Sequence, residues 1–328
     1  MSNLKALIVG LGYMGKNHAR ILSSMENVTL AAVADPNVKA ARTIGRMYKV
    51  ITYESLEEAL AEENVDFVTI AAPTVLHYQL AKICISRKIP TFIEKPITET
   101  VYQAKSLLAM LKKTKIPLMV GHIERFNPVV NEIKQRVNTG ELGKIIKIHA
   151  QRFSPPVNRP QDVSAIIDLA THDIDVICHI LNKKIHRLYA ETGKILHKKV
   201  DIMSALLKFD GGAIGIIEVS WLHPSKFRNL TVMGENGMYV ANYITQELFF
   251  YRQNSNLFKN SSNQTPYAVA DVIKIAFEAK EPLQIELKAF VNSLEKRTTV
   301  PVSCKEGLSA LEIALKLELS GQKNKIYK

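Results

Sequence analysis

The segment TFIEKPIT, residues 91–98, starts as an apolar strand and ends in charge: Phe92 and Ile93 are followed at once by Glu94 and Lys95, and Pro96 stops the strand. Burying a charge costs several kcal/mol unless it is paired or used. An acid and an amine delivered together at a strand end therefore point to a ligand or to chemistry. A second group lies in IIDLATHDID, where Asp168 and His172 stand four residues apart and share one face of a helix. A histidine with a pKa of about 6.5 can take a hydroxyl proton at neutral pH, and a carboxylate one turn away raises its basicity and orients the ring. Asp175 and His179 continue the stripe, so two Asp and two His also offer ligands to a metal ion. A third reading leaves Asp175 and His179 as surface polar residues on a core helix. The third group is GLGYMG, residues 10–15. Gly10 permits a tight turn, Gly12 lets the backbone approach a pyrophosphate, and Gly15 lets a helix pack closely on a strand.

These residues need elements to hold them. Up to Gly121, apolar runs (ALIVG, TLAAVAD, FVTIAAP, TFIE, PLMVG) alternate with amphipathic stretches near 15–24, 56–62, 76–87 and 101–113. Such alternation implies βαβ units in a doubly wound parallel sheet, a Rossmann arrangement. GLGYMG then follows the first strand and opens a helix, whose N-terminus offers N–H groups and a positive dipole end to the phosphates over Tyr13 and Met14. Asp35 ends the second strand, 20 residues past Gly15. Its carboxylate suits an adenosine ribose and repels a 2′-phosphate, so NAD is the expected cofactor rather than NADP. The carboxyl ends of later strands border the same crevice, which adds Pro73, Thr74, His77, Glu94 and Lys95 to the cofactor side. After Glu124 the pattern changes. KIIKIHAQRF reads as a long strand and SAIIDLATHDIDVICHIL as one helix. Asp210-Gly211-Gly212 and Asn236-Gly237 mark hairpins between extended runs. The expectation is an α/β protein with a Rossmann domain over residues 1–122. Residues 123–328 are expected to form an α+β domain with a large, open, mostly antiparallel sheet, its last helices returning toward the first domain.

Bulk properties narrow the function class. The 328 residues have room for two domains, and 47% hydrophobic content is ordinary for a soluble globular protein. No apolar run reaches the roughly 18 residues of a membrane helix, and MSNLKALIVG lacks a signal-peptide layout. Three scattered cysteines, Cys84, Cys178 and Cys304, suggest neither a disulfide framework nor a thiolate metal site, and a cytoplasmic setting is expected. The balance of 43 Lys+Arg against 31 Asp+Glu gives +12. The basic residues are scattered and no nucleic-acid motif occurs, so neither nucleic acid nor membrane is the expected partner. An anionic small-molecule substrate agrees with the charge.

Taken together, GxGxxG, the strand-ending Asp35, PTVLH, EKP and GHIERFNP resemble the glucose–fructose oxidoreductase / inositol dehydrogenase / MocA family over nearly the whole chain. The resemblance implies an NAD-dependent dehydrogenase acting on cyclic sugars or polyols. It makes Lys95 catalytic, beside the nicotinamide and the reacting carbon, and puts Glu94 by the nicotinamide ribose. It places Asp168 and His172 beside the lysine, with His172 also touching substrate. Lys95 and His172 share the roles of proton acceptor and hydrogen-bond donor, in either order. No metal is implied, since hydride transfer to NAD needs none and relatives lack one. The segments around Arg125 and Arg152 are most similar to the sugar-nucleotide branch, whose members oxidise the 3-hydroxyl of UDP-N-acetylglucosamine or its relatives. Arg125, in the RF-P signature, Asn127, Arg152 and Arg159 are the expected substrate ligands, with guanidinium forks suited to phosphate. Dehydrogenation of free inositol or a non-nucleotide sugar is the alternative. A non-catalytic NAD(P)-binding regulator would be expected to lack Lys95 or His172, and both are present. Relatives pair through the outer face of the open sheet, so a homodimer or homotetramer is expected, with AIGIIEVSW and NLTVMG supplying apolar surface.

Overall fold

The computed structural model describes residues 3–156, 163–253 and 271–328. The chain divides into two compact units, Met1–His122 with Leu283–Leu311, and Ile123–Pro282 with Glu312–Lys328.

In the first unit, strands and helices alternate: β1 (Leu4–Val9), α1 (Tyr13–Leu22), β2 (Val28–Ala34), α2 (Val38–Tyr48), β3 (Ile51–Tyr53), α3 (Leu56–Glu62), β4 (Phe67–Ile70), α4 (Thr74–Ser86), β5 (Thr91–Glu94), α5 (Val101–Thr114) and β6 (Leu118–Gly121). The sheet runs β3-β2-β1-β4-β5-β6 with every pair parallel. The order reverses between β1 and β4, the place where doubly wound sheets open a ligand crevice. Every residue of β4, β5 and β6 is buried, as a sheet covered on both faces requires. Helices α2, α3 and α5 start where side chains cap them: Asn37, Ser55 and Thr100 accept the N–H of Ala40, Glu58 and Gln103, and Gln103 completes a capping box. Phe67 and Phe92 meet Phe290 edge to face at 5.6 and 5.7 Å. Phe290 belongs to α8 (Pro282–Glu295), a helix far along the chain.

The second unit opens with a 3₁₀ turn, Ile123–Phe126, and α6 (Pro128–Asn138), then β7 (Ile145–Phe153). A π-helical turn, Ile166–Ala170, leads into α7 (Thr171–Leu181). The remaining strands are β8 (Ile185–Gly193), β9 (Ile202–Phe209), β10 (Ile214–Ser220), β11 (Phe227–Gly234), β12 (Gly237–Asn242), β13 (Glu247–Arg252) and β14 (Asp271–Ile275). They pair in the order β14-β13-β12-β11-β7-β10-β9-β8. Only β7 and β10 run parallel; the other pairs are antiparallel. Both glycine turns expected from sequence join antiparallel neighbours, β9 to β10 and β11 to β12. Helix α7 packs on β7 and β10. The opposite face carries Ile202, Leu206, Ile214 and Met233 exposed, among polar groups such as Glu218, which accepts from His149 and Gln151. The last helix, α9 (Cys304–Lys323), contributes its first turns to the first unit and the rest to the second. Among the described residues, no helix is long and apolar enough to cross a membrane. The whole is an α/β fold: a Rossmann sheet and a large, mostly antiparallel sheet.

Candidate active site

In the first unit the glycine loop links β1 to α1. Gly10 sits at φ +88°, and a Cβ there would lie 2.5 Å from the Ala72 nitrogen. A Cβ at Gly15 would lie 1.8 Å from the Gly10 carbonyl oxygen. Both glycines therefore answer to the chain's own packing. Gly12 does not: a Cβ there would meet nothing within 4 Å. Its missing side chain leaves room at the mouth of α1, as a pyrophosphate would require. No side chain caps this helix and no acid occupies its first turn, so its positive end is uncompensated. Tyr13 stands 79% exposed beside it. Asp35 is held at the loop, its carboxylate accepting the Leu11 N–H at 2.6 Å and the Asn37 N–H at 2.8 Å. Two carboxylate oxygens have about four acceptor sites, which leaves capacity for a ribose hydroxyl. The loop thus fits a dinucleotide: Gly12 and the α1 N-terminus for the diphosphate, Asp35 for the ribose.

At the exits of β4 and β5 the structure revises the expected roles. Pro73 is exposed and Thr74 half-buried, as contact residues would be. His77, expected to touch the cofactor, is 1% exposed. Its Nδ1 lies 2.8 Å from the Pro96 carbonyl and its Nε2 2.9 Å from the Ala72 carbonyl. The ring ties the two strand-exit loops together. Burial lowers its pKa against the pull of the two carbonyls. Glu94 is also buried. Its Oε1 lies 3.0 Å from His18 Nε2, and its Oε2 accepts the Lys95 N–H at 3.2 Å. Lys95 follows half-buried, through a cis peptide to Pro96. His18 was not among the expected site residues. It is fully buried on the apolar face of α1 with Gly15, Ala19 and Leu22, and packs edge-on against Phe92 at 5.3 Å. A lone histidine on a buried helix face was the available signal.

In the second unit the expected single helix starts instead with the π turn, which contains Asp168, while His172 lies in the first turn of α7. The Thr171 hydroxyl donates to the Ile167 carbonyl at 2.8 Å. Across residues 164–177 every side chain is buried except those of Asp168 and His172. π turns of this kind recur at functional sites.

The charged residues around this helix depart from the sequence expectation. Arg125 is not an open anion ligand. Its Nε and Nη2 grip both oxygens of Asp175 at 2.6 Å, and both residues are buried. Asp175, read as a surface residue, is 3% exposed and is this arginine's counter-ion. Arg152 is likewise taken: Nε and Nη2 hold Asp173 at 2.8 and 2.9 Å, and Nη1 holds Glu124 at 2.8 Å. Burial works against its charge, but the two carboxylates outweigh burial and raise its pKa. Asn127 caps α6 through Oδ1, which accepts the Val129 N–H at 3.3 Å, while Nδ2 donates to the Tyr243 carbonyl and to Glu124 at 3.2 Å. Its polar atoms are used within the fold. Arg159 lies outside the described residues. Arg228, which the sequence did not single out, is half-buried on β11 directly opposite Arg152. It donates to the Phe153 and Phe227 carbonyls and to the Ser154 hydroxyl. Among the described residues, no group of three His, Cys, Asp or Glu is placed to hold a metal ion.

Comparison with known proteins agrees with this fold. Residues 4–122 match the family described as "Oxidoreductase family, NAD-binding Rossmann fold", and residues 130–240 match the "GFO/IDH/MocA C-terminal domain". UDP-N-acetylglucosamine 3-dehydrogenase of Acidithiobacillus ferrooxidans is 23% identical over 320 residues, 98% of each chain. Its solved structure superposes with a TM-score of 0.87 at 21% identity, covering 98% of this chain and 99% of that one. The scyllo-inositol 2-dehydrogenase (NAD(+)) of Bacillus subtilis is 28% identical over 67% of this chain and 68% of its own. The scyllo-inositol dehydrogenase of Lactobacillus casei, solved with NAD(H) and scyllo-inositol, has a TM-score of 0.81 at 20% identity over 99% of both chains. With both of its domains matched to one family and a glycine loop that fits a dinucleotide, the chain belongs to the Gfo/Idh/MocA oxidoreductases and is an NAD-dependent enzyme.

Proposed function

We propose that the protein oxidises a secondary hydroxyl of a sugar nucleotide, the 3-hydroxyl of UDP-N-acetylglucosamine or a close relative. The observation that carries the chemistry is the exposure pattern of residues 164–177, in which Asp168 and His172 alone reach solvent from a buried segment. His172 takes the hydroxyl proton, and Asp168 orients its ring and favours its charged form. Lys95 donates a hydrogen bond to the same oxygen and stabilises the charge that develops there. Its backbone N–H is held by Glu94, which His18 holds in turn. Bound NAD supplies the hydride acceptor. Similarity over 98% of both chains to the Acidithiobacillus enzyme supports the sugar-nucleotide substrate.

A second reading, oxidation of free inositol or another polyol, is favoured by one observation: the two arginines expected to meet a diphosphate are occupied by Asp175, Asp173 and Glu124. A screen of UDP-sugars and free polyols for NADH formation separates the two. Turnover of UDP-N-acetylglucosamine and not of inositol supports the first; turnover of inositol alone replaces it with the second.

A further inference from the structure

Three arginines of the second unit can be compared edge by edge. Arg125 and Arg152 each hold an aspartate bidentately through Nε and Nη2. In Arg228 that edge meets no carboxylate among the described residues. Its bonds go through Nη1 to two backbone carbonyls and through Nη2 to the Ser154 hydroxyl, and Nε donates to nothing described.

The position sharpens the contrast. Arg228 and Arg152 are cross-strand partners on β11 and β7, on the sheet face that carries α7. Like charges directly opposite each other are destabilising. Arg152 offsets its charge with two carboxylates; Arg228 is bonded to none among the described residues. Burial and the charge of Arg152 lower the Arg228 pKa to about 10, and Asp173, Glu124 and Asp168 act on it without outweighing them. The same influences show that Asp168, the residue placed beside His172, lies within electrostatic reach of this guanidinium. A half-buried cation whose Nε–H meets no described acceptor, beside an Nη2 held only by a hydroxyl, offers donors to a phosphate or carboxylate oxyanion.

We infer that Arg228 is the anion-recognition residue of the substrate site, its Nε edge receiving a phosphoryl oxygen of the sugar nucleotide. This inference rests on the sugar-nucleotide reading for its ligand, but it can be tested apart from that reading. The arginine grips the diphosphate and so sets substrate affinity and specificity, while the hydroxyl chemistry stays with His172, Asp168 and Lys95. It takes the place that sequence assigned to Arg125 and Arg152.

The test uses the NAD-loaded wild-type protein, Arg228→Gln and Arg228→Lys. Binding of UDP, pyrophosphate and glucuronate is measured by calorimetry, and steady-state kinetics are run with UDP-N-acetylglucosamine. In Arg228→Gln, UDP and pyrophosphate affinity should fall by roughly ten- to a hundredfold, the scale of one charge-assisted hydrogen bond. KM for the UDP-sugar should rise in step, by more than kcat falls. Arg228→Lys keeps the charge without the fork and should recover part of the loss, and NAD affinity should match wild type in both variants. Equal UDP and pyrophosphate affinity in wild type and Arg228→Gln, or no binding of either to wild type, overturns the inference. Dependence on Arg228 for glucuronate but not for the phosphates overturns the diphosphate assignment in favour of a carboxylate. UDP-N-acetylglucosamine turnover with unchanged KM in Arg228→Gln sinks the inference and leaves the sugar-nucleotide reading standing. Arg228-dependent UDP binding without turnover of any UDP-sugar does the reverse.

Discussion

Lys95 and Asp35 sit at the ends of two strands of one sheet, and each carries a separable part of the account. Lys95→Ala removes the amine and leaves the Glu94–His18 contact and the glycine loop untouched. The variant should fold and bind NAD but lose at least about a hundredfold in kcat, the usual scale for an acid–base or charge-stabilising group. Near-normal turnover would return EKP to a structural role. Asp35→Ser should narrow the preference for NAD over NADP, because it removes the charge that a 2′-phosphate would face. If the unmodified protein reduces NADP more efficiently than NAD, the ribose argument is wrong. Residue types alone gave these two positions, since a strand end is a place that sequence can locate. They did not give the partners. Arg125 reaches Asp175 across 50 positions, Arg152 reaches Asp173 across 21, and His18 reaches Glu94 across 76. A charge in a sequence advertises itself, and its counter-ion does not.

At the scale of elements, apolar runs marked β1, β2, β4, β5 and β6 because strands buried on both faces need unbroken hydrophobicity. β3 left no such mark: it has three residues and none is buried. The π turn was equally silent, because the IIDLATHDID pattern is compatible with an uninterrupted helix. Helix α7 also shows what Arg125 does within the fold. The Arg125–Asp175 pair pins this helix to the 3₁₀ turn Ile123–Phe126 with both charges buried. Removing one partner of a buried pair costs about 3–5 kcal/mol, because the other is left uncompensated. Asp175→Ala should therefore lower unfolding free energy by about that amount in a denaturant titration. A loss under about 0.5 kcal/mol, typical of a surface substitution, would put Asp175 back on the surface, where sequence had it.

The larger sheet carries Ile202, Leu206, Ile214 and Met233 exposed on β9, β10 and β11. We propose that a second copy of the chain covers them. Light scattering should find a dimer or tetramer, and Leu206→Glu should shift it toward monomer; a wild-type monomer at working concentration would sink this. The central claim is that this NAD-dependent oxidoreductase acts on a sugar nucleotide. It is tested most directly by kcat/KM for NADH formation from UDP-N-acetylglucosamine against myo-inositol under identical conditions. The account predicts a ratio of at least about a hundred in favour of the UDP-sugar, the combined effect of one or two charge-assisted contacts to the diphosphate. Equal efficiency, or turnover of inositol alone, would contradict it.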